Sequence, residues 1–361
     1  MNAVTSTMAS VAGSLWAIAA VVVRHNHRHA PSIDHEAMAA PGEGNPQSVC
    51  VVVPARDEER NIGACLEGLC RSDYPRLRIR VVDDGSADGT PLIVAALART
   101  DPRVELLRID ELPPGWLGKN HALWRGTRAC HEDWLLFIDA DMRVAPSCIA
   151  RAVTAAQRRG ADLLTIVPKL EMLTFWELAV QAVIVHAILL SLDSRNINDP
   201  ASHRAAAIGP FMLFRRTAYE AVGGHEAVRA EVVEDLRLAE AVKRTGLRLV
   251  FARGTEVAIL RMYDSLSAIV DGWSKNFHVS LGERSWHLPF AVVGLLFFYG
   301  APWLVPLAGL VCGDFAGAAV GAAALAMAIA ARLDFQRLYG VTAERAYLAP
   351  LGALVASWIL V

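Results

Sequence analysis

Two acidic elements carry the clearest chemistry. Asp139-Ala140-Asp141 sets two carboxylates two positions apart, directly after the apolar run Trp134–Ile138. Oxygen donors this close suit a hard divalent ion, Mg or Mn, which bridges readily to phosphate oxygens. Such a pair alone is also a common polar strand end. A second element, Asp83-Asp84-Gly85-Ser86, follows another apolar run, and the two together argue against coincidence. Lys119, between Gly118 and Asn120, offers a cation to a phosphate or sugar hydroxyl, or is a solvated lysine at a helix start. Further on, Glu234 and Asp235 precede Leu236, Leu238, Ala239 and Val242, a helical spacing. A carboxylate there can take a proton from a hydroxyl nucleophile, or can simply answer the helix dipole. Adjacent helical positions diverge by about 100°, so one of the two faces any cleft.

These residues need elements to position them. Ser48–Pro54 is a continuous apolar run ending in proline, as in a buried parallel strand. Asp57–Gly68 reads as a helix opening on Asp57, Glu58 and Glu59. Strand-like runs at Arg78–Val82, Val104–Arg108 and Trp134–Ile138 alternate with helical ones at Pro91–Thr100 and Lys119–Cys130. That alternation predicts an α/β fold with a mostly parallel sheet, whose ligands sit at the carboxyl ends of the strands. Arg56, Asp83, Asp84, Asp139 and Asp141 all fall just past strand ends and should converge. No GxGxxG follows the first strand and no GxxxxGK[ST] occurs, which disfavours a nicotinamide dehydrogenase and a P-loop NTPase.

The chain has 361 residues, of which 54% are hydrophobic, and the charges concentrate in its middle. Net charge is −2, so no basic field draws it to nucleic acid. Its 6 cysteines show no CxxC spacing, which argues for reduced thiols rather than zinc or a disulfide framework. Residues 1–24 read as a membrane anchor, 25–47 as a linker, 48–287 as the catalytic domain and 288–361 as a transmembrane region of about three helices. Arg24 and Arg28 follow the first apolar run, and Arg332, Arg337 and Arg345 lie between the last two. Both asymmetries place the central domain on the cytoplasmic side of a bacterial-type inner membrane. Phe175–Leu192 is apolar but holds Glu177, Gln181 and His186. An amphipathic helix on the membrane, or one packed on the core, costs less than a span.

In combination these elements resemble family 2 glycosyltransferases of the GT-A fold. The matching residues are Val51 through Glu59, Asp83-Asp84-Gly85-Ser86 with Asp88-Gly89-Thr90, Gly118-Lys119-Asn120, Asp139-Ala140-Asp141, Gly209–Arg216 with Gly223-Gly224, and Glu234-Asp235. Within that family the chain looks most like the membrane-bound hopanoid-associated glycosyltransferases, through Pro113–Lys119 and Asp271–Asn276. The resemblance implies an inverting transfer of sugar from a nucleotide-sugar donor to a membrane lipid of hopanoid or polyprenyl type. It implies that Ala55, Arg56, Glu58, Asp83, Asp84, Lys119 and Asp139 bind the donor, with Asp139 and Asp141 on the metal and Asp235 as general base. Processive polysaccharide synthases of the family carry Q-x-x-R-W after the acidic pair. Here the region reads Gly272-Trp273-Ser274-Lys275-Asn276, so Trp273 and Lys275, with Glu234, are candidates for acceptor or diphosphate contacts. The missing pattern favours transfer of a single sugar. A nucleotidyl- or phosphotransferase would use a similar metal cleft but needs no base at Asp235. An inactive scaffold would not be expected to retain the whole acidic set.

Overall fold

The computed structural model describes residues 2–37, 47–281, 288–341 and 345–361. Most of the proline- and glycine-containing part of the expected linker, 38–46, lies outside them, as does the expected domain end at 282–287. The chain divides into two compact units. One comprises His29–Lys169 and Asp193–Arg261, the other Met1–Arg28, Leu170–Leu192 and Met262–Val361.

The first unit is built on eight strands: β1 (Val49–Ala55), β2 (Leu77–Asp83), β3 (Val104–Arg108), β4 (Trp134–Ile138), β5 (Met142–Val144), β6 (Leu163–Leu170), β7 (Phe211–Arg215) and β8 (Leu249–Leu260). Their order in the sheet is β3-β2-β1-β4-β7-β6-β8-β5. The four strands β3, β2, β1 and β4 run parallel, with Ala55 opposite Asp83 and Asp83 opposite Arg108. Val49 through Val53 are fully buried, because helices cover both faces of such a sheet. β7 runs antiparallel to β4 and pairs Phe211 with Ile138. The start of β7 therefore lies beside the end of β4, which brings Gly209 and Pro210 to the Asp139 turn. Asp139 N donates to Pro210 O at 3.3 Å. The parallel half is as the sequence predicts. The antiparallel half is set by the reversal at β7, which no periodicity announces.

Two expectations need correction here. The helix expected at Asp57–Gly68 spans Ile62–Cys70. Asp57 instead adopts φ 55°, and residues 57–59 clasp the loop after β2. Asp57 Oδ1 accepts from Ala87 N at 2.8 Å and Glu59 Oε2 from Gly89 N at 2.9 Å, so these carboxylates are not free to open a helix. The linker expected from residue 25 begins later, because the first helix continues to His29. Beyond it, Ile33 is fully buried and pairs with Arg253 O at 2.8 Å, while Glu36 meets Arg158 at 2.9 Å and Arg159 at 2.8 Å. No proline interrupts the His/Arg tract before Pro31, so nothing stops the helix earlier.

Among the described residues, three helices are long and apolar enough to cross a membrane, Val4–His29, Leu288–Val311 and Phe315–Tyr339. Small residues let them approach closely: a Cβ at Gly309 would sit 2.7 Å from Ala318 N, and one at Gly321 2.8 Å from Pro306 N. Trp16 stacks on Phe298 at 4.3 Å and donates to its carbonyl at 2.8 Å. Arg24 pairs with Asp334 at 2.6 Å. The third C-terminal helix is short, Ala349–Leu360 with 12 residues, or about 18 Å against a hydrocarbon core of about 30 Å. The Phe175–Leu192 segment forms a wide turn of helix at Glu177–Gln181 followed by Ala182–Ser191. It packs inside the second unit rather than lying as an amphipathic surface helix. Glu177, Gln181 and His186 are all buried, and Gly352 closes against the Ala179 carbonyl where no side chain fits.

Candidate active site

A cavity of about 400 Å³ opens at the carboxyl ends of the parallel strands. Pro54, Ala55 and Arg56 line it from the end of β1, and Asp84 from the end of β2. Gly118, Lys119 and Ala122 come from the helix Gly118–Thr127, and Asp139, Ala140 and Asp141 from the turn after β4. Glu58 completes it. The sheet topology thus gathers residues from four separate stretches of sequence.

On one side, Arg56 Nη1 stands 3.7 Å from Asp84 Oδ2. Burial raises the Asp84 carboxyl above its ordinary value, and Arg56 opposes that rise. Gly118 lies so close to Asp84 Oδ2 that a methyl group there would collide with it. Asp83 points elsewhere. It is fully buried, 3.1 Å from Arg108 Nε, and its Oδ1 accepts from Ser86 N at 3.2 Å. Asp83 shapes the loop beneath the cavity but does not line it.

On the other side the acidic groups crowd together. Asp141 Oδ1 is buried and has no hydrogen-bond partner among the described residues. Burial pushes the Asp141 carboxyl well above the usual carboxylate range, and the charges of Asp139 and Glu58 push it further. An unpartnered buried acceptor costs about 1–3 kcal/mol. A cation bound between Asp139 and Asp141 would satisfy that atom and offset the mutual repulsion, so the donor set fits a hard divalent ion. Lys119 Nζ reaches Asp139 Oδ1 and Oδ2 at 3.0 Å and Glu234 Oε1 at 3.1 Å. Burial works against its charge, but Asp139, Glu234 and Asp235 together raise its pKa well above the ordinary value.

Glu234 and Asp235 open the helix Glu234–Arg244. Asp235 Oδ2 accepts from Gly209 N at 2.9 Å and Oδ1 from Leu236 N at 2.7 Å. Burial, then Glu234, pushes Asp235 up to about 6, against the pull of Lys119 and the two backbone N–H groups. A carboxylate with that value accepts a proton near neutral pH.

Asn120 joins the two sides, a role its place in the Gly-Lys-Asn run did not reveal. It is buried, and its Nδ2 donates to the carbonyls of Val228 at 2.9 Å and Glu231 at 2.9 Å. Leu117 N donates to Arg229 O at 2.8 Å. These bonds tie the segment before Glu234 to the helix that carries Lys119. Trp273 and Lys275 belong to the other unit, on the helix Leu266–Leu281. Trp273 is buried and stacks on Phe277 at 5.6 Å, whereas Lys275 is exposed. One thiol-containing cluster was not visible in the spacing: Cys50, Cys130 and Glu132 place ligand atoms within 4.8 Å of one another. Arg80 lies 3.8 Å from Cys130 Sγ and Arg78 3.6 Å from Glu132, so guanidinium groups already fill the space beside it.

A cavity of about 400 Å³ at the carboxyl ends of parallel strands, with acidic residues after β2 and β4, is set in a GT-A-like α/β fold. Residues 50–223 match the sequence profile of glycosyl transferase family 2. That stretch carries a glycosyl transferase family 2 region, which supports a glycosyltransferase. The chain is 26% identical over 267 residues to the 4,4'-diaponeurosporenoate glycosyltransferase of Staphylococcus aureus strain MRSA252, an alignment covering 73% of this chain and 69% of that one. Among solved structures it resembles the mannosyltransferase PcManGT from Pyrobaculum calidifontis, in complex with GDP-Man and Mn2+. That match has a TM-score of 0.54 and 18% identity and covers 97% of this chain and 99% of that one. At that identity the likeness concerns the fold.

Proposed function

We propose that this protein transfers a single sugar, with inversion, from a nucleotide sugar to a hydroxyl of a membrane lipid of hopanoid or polyprenyl type. The observation that carries this reading is the run of contacts Asp139–Lys119–Glu234, which sets Asp235 one residue from the cavity's acidic wall. Asp84 and Arg56 would hold the nucleotide, with Ala55 and Glu58 beside them. Asp139 and Asp141 would hold a divalent ion, Mg or Mn, which when bound neutralises charge on the diphosphate leaving group. Asp235 would take the proton of the acceptor hydroxyl as its oxygen attacks the anomeric carbon. The bond from that carbon to the diphosphate breaks, and its electron pair leaves with the nucleoside diphosphate. A base of this kind contributes about 10²–10⁴-fold. Lys119 would add positive charge near the leaving group.

The acceptor class rests on two supports. Among the described residues, three helices are long and apolar enough to span a bilayer, and the staphylococcal relative is named for 4,4'-diaponeurosporenoate. The basic flanks at Arg24, Arg28, Arg337 and Arg345 favour a cytoplasmic catalytic unit, where nucleotide sugars are supplied.

The test is a donor screen. Purified protein is incubated with individual nucleotide sugars and extracted membrane lipid, and the products are identified by mass spectrometry. One added hexose on a lipid, with release of nucleoside diphosphate, is the expected outcome. Release of sugar 1-phosphate would indicate nucleotidyl transfer instead, and a ladder of sugars would indicate a polysaccharide synthase.

A further inference from the structure

Lys119 and a divalent ion compete for the same atoms. The Lys119 ammonium stands 3.0 Å from both oxygens of Asp139. A hard cation in the Asp139/Asp141 pair needs at least one of those oxygens at about 2.0–2.2 Å. A carboxylate can hold an ion on one oxygen and a hydrogen bond on the other, but Lys119 now contacts both oxygens and its charge repels an incoming ion at this distance, so the two cations oppose each other. The lysine has a second partner, because Glu234 Oε1 already lies 3.1 Å from Nζ. Asp141 meanwhile keeps a buried oxygen with no partner among the described residues. The lysine thus covers one carboxylate of the pair and leaves the other's oxygen unpaired.

We propose that Lys119 is an internal stand-in for the metal: it occupies Asp139 while the donor is absent and passes to Glu234 when the ion arrives with the nucleotide diphosphate. The inference rests on the metal reading of Asp139 and Asp141 and adds an order of binding to it. The metal alone must displace a tethered cation at full electrostatic cost. The metal–diphosphate complex brings phosphate oxygens that complete the ion's coordination and also attract the released ammonium. Glu234 is then a positioning residue for Lys119, which accounts for a buried glutamate beside the base.

The experiment measures Mn2+ binding to the full-length protein in detergent, by the electron paramagnetic resonance signal of free Mn2+, with and without UDP or GDP. Lys119→Met should tighten binding in the absence of nucleotide by about tenfold or more, and nucleotide should then add less than it does to the wild type. Lys119→Gln, which keeps an amide beside Asp139 but no charge, should tighten it in the same direction and serves if Lys119→Met unfolds. Lys119→Arg should bind Mn2+ as weakly as the wild type. Arg56→Met removes a different cation from the same cavity and, in the absence of nucleotide, should change Mn2+ affinity by less than about threefold. Unchanged or weaker binding in both neutral Lys119 variants overturns the proposal, as does equal tightening in Arg56→Met, which would mark a general field effect. If no form binds Mn2+ even with nucleotide, the metal reading itself falls and the stand-in with it.

Discussion

The carboxylate of Asp235 is clamped to the backbone of Gly209, whose N–H donates to Oδ2 at 2.9 Å. A Cβ at position 209 would meet that same oxygen at 3.1 Å and the Asp235 Cβ and Cγ at 3.5 Å. The glycine thus fixes where the proposed base can sit. Gly209→Ala should push the carboxylate by a few tenths of an ångström. Turnover should fall about tenfold or more, with donor affinity nearly unchanged, since misplaced catalytic groups lose rate steeply. Steady-state kinetics with isothermal titration of the nucleotide check this. A matched loss of donor affinity would place Asp235 in binding rather than proton transfer.

Asp235 also gives a pH dependence of definite sign. Its value near 6 lies above the ordinary carboxylate value of 3.8. Transfer should therefore rise with pH through about 6 and then level. Stability runs the other way. The folded chain holds a proton that the unfolded chain has released between pH about 4 and about 6, so this group's contribution falls as pH rises across that window. Asp235→Asn removes that fall. Its melting temperature should gain on the wild type between pH 4 and 7, while its rate drops by orders of magnitude. A flat difference in melting temperature, or full activity, contradicts the assignment.

Asp141→Asn separates charge from shape at the proposed metal pair. The wild-type carboxyl is buried beside Asp139 and Glu58, which raise its pKa. Removing its charge should leave thermal stability unchanged or higher, while abolishing Mn2+ binding and transfer. An active variant in Mn or Mg would refute the metal role of Asp141.

Gly118→Ala addresses the nucleotide side. The added methyl has no room beside Asp84 Oδ2 and must displace that carboxylate from Arg56. If these groups act in donor binding as proposed, the donor KM should rise about tenfold with a smaller change in kcat. The reverse split would remove Asp84 from the donor site.

The topology can be read with reporters. The Arg337 and Arg345 flank should be cytoplasmic and the turn at Gly313 should face the opposite side. A reporter inserted at Gly340 should give a cytoplasmic signal and one at Gly313 an external signal. The opposite pattern would also place the catalytic unit away from its nucleotide-sugar supply.

The sequence by itself determined the parallel half of the sheet and the identity of the acidic residues at its edge. Runs such as Val49–Val53 and Trp134–Ile138 are apolar without alternation, which is the signature of strands buried on both faces, and the motifs follow them directly in the chain. The positions of Asp84, Asp139 and Lys119 in one cavity follow from that local order. It could not determine what depends on contacts between distant segments. Asp57–Glu59 reads as a helix start, yet its carboxylates serve the backbone of a loop some thirty residues away. Asp83 and Asp84 are neighbours in sequence, and only the strand's alternation sends one into the core and the other into the cavity. The antiparallel return of β7 brings Gly209 to Asp139, and Asn120 ties down the segment before Glu234. Those pairings are set by tertiary packing and backbone hydrogen bonding. They decide that Asp235, acidic in any fold, is buried, raised to about 6 and held within reach of Lys119.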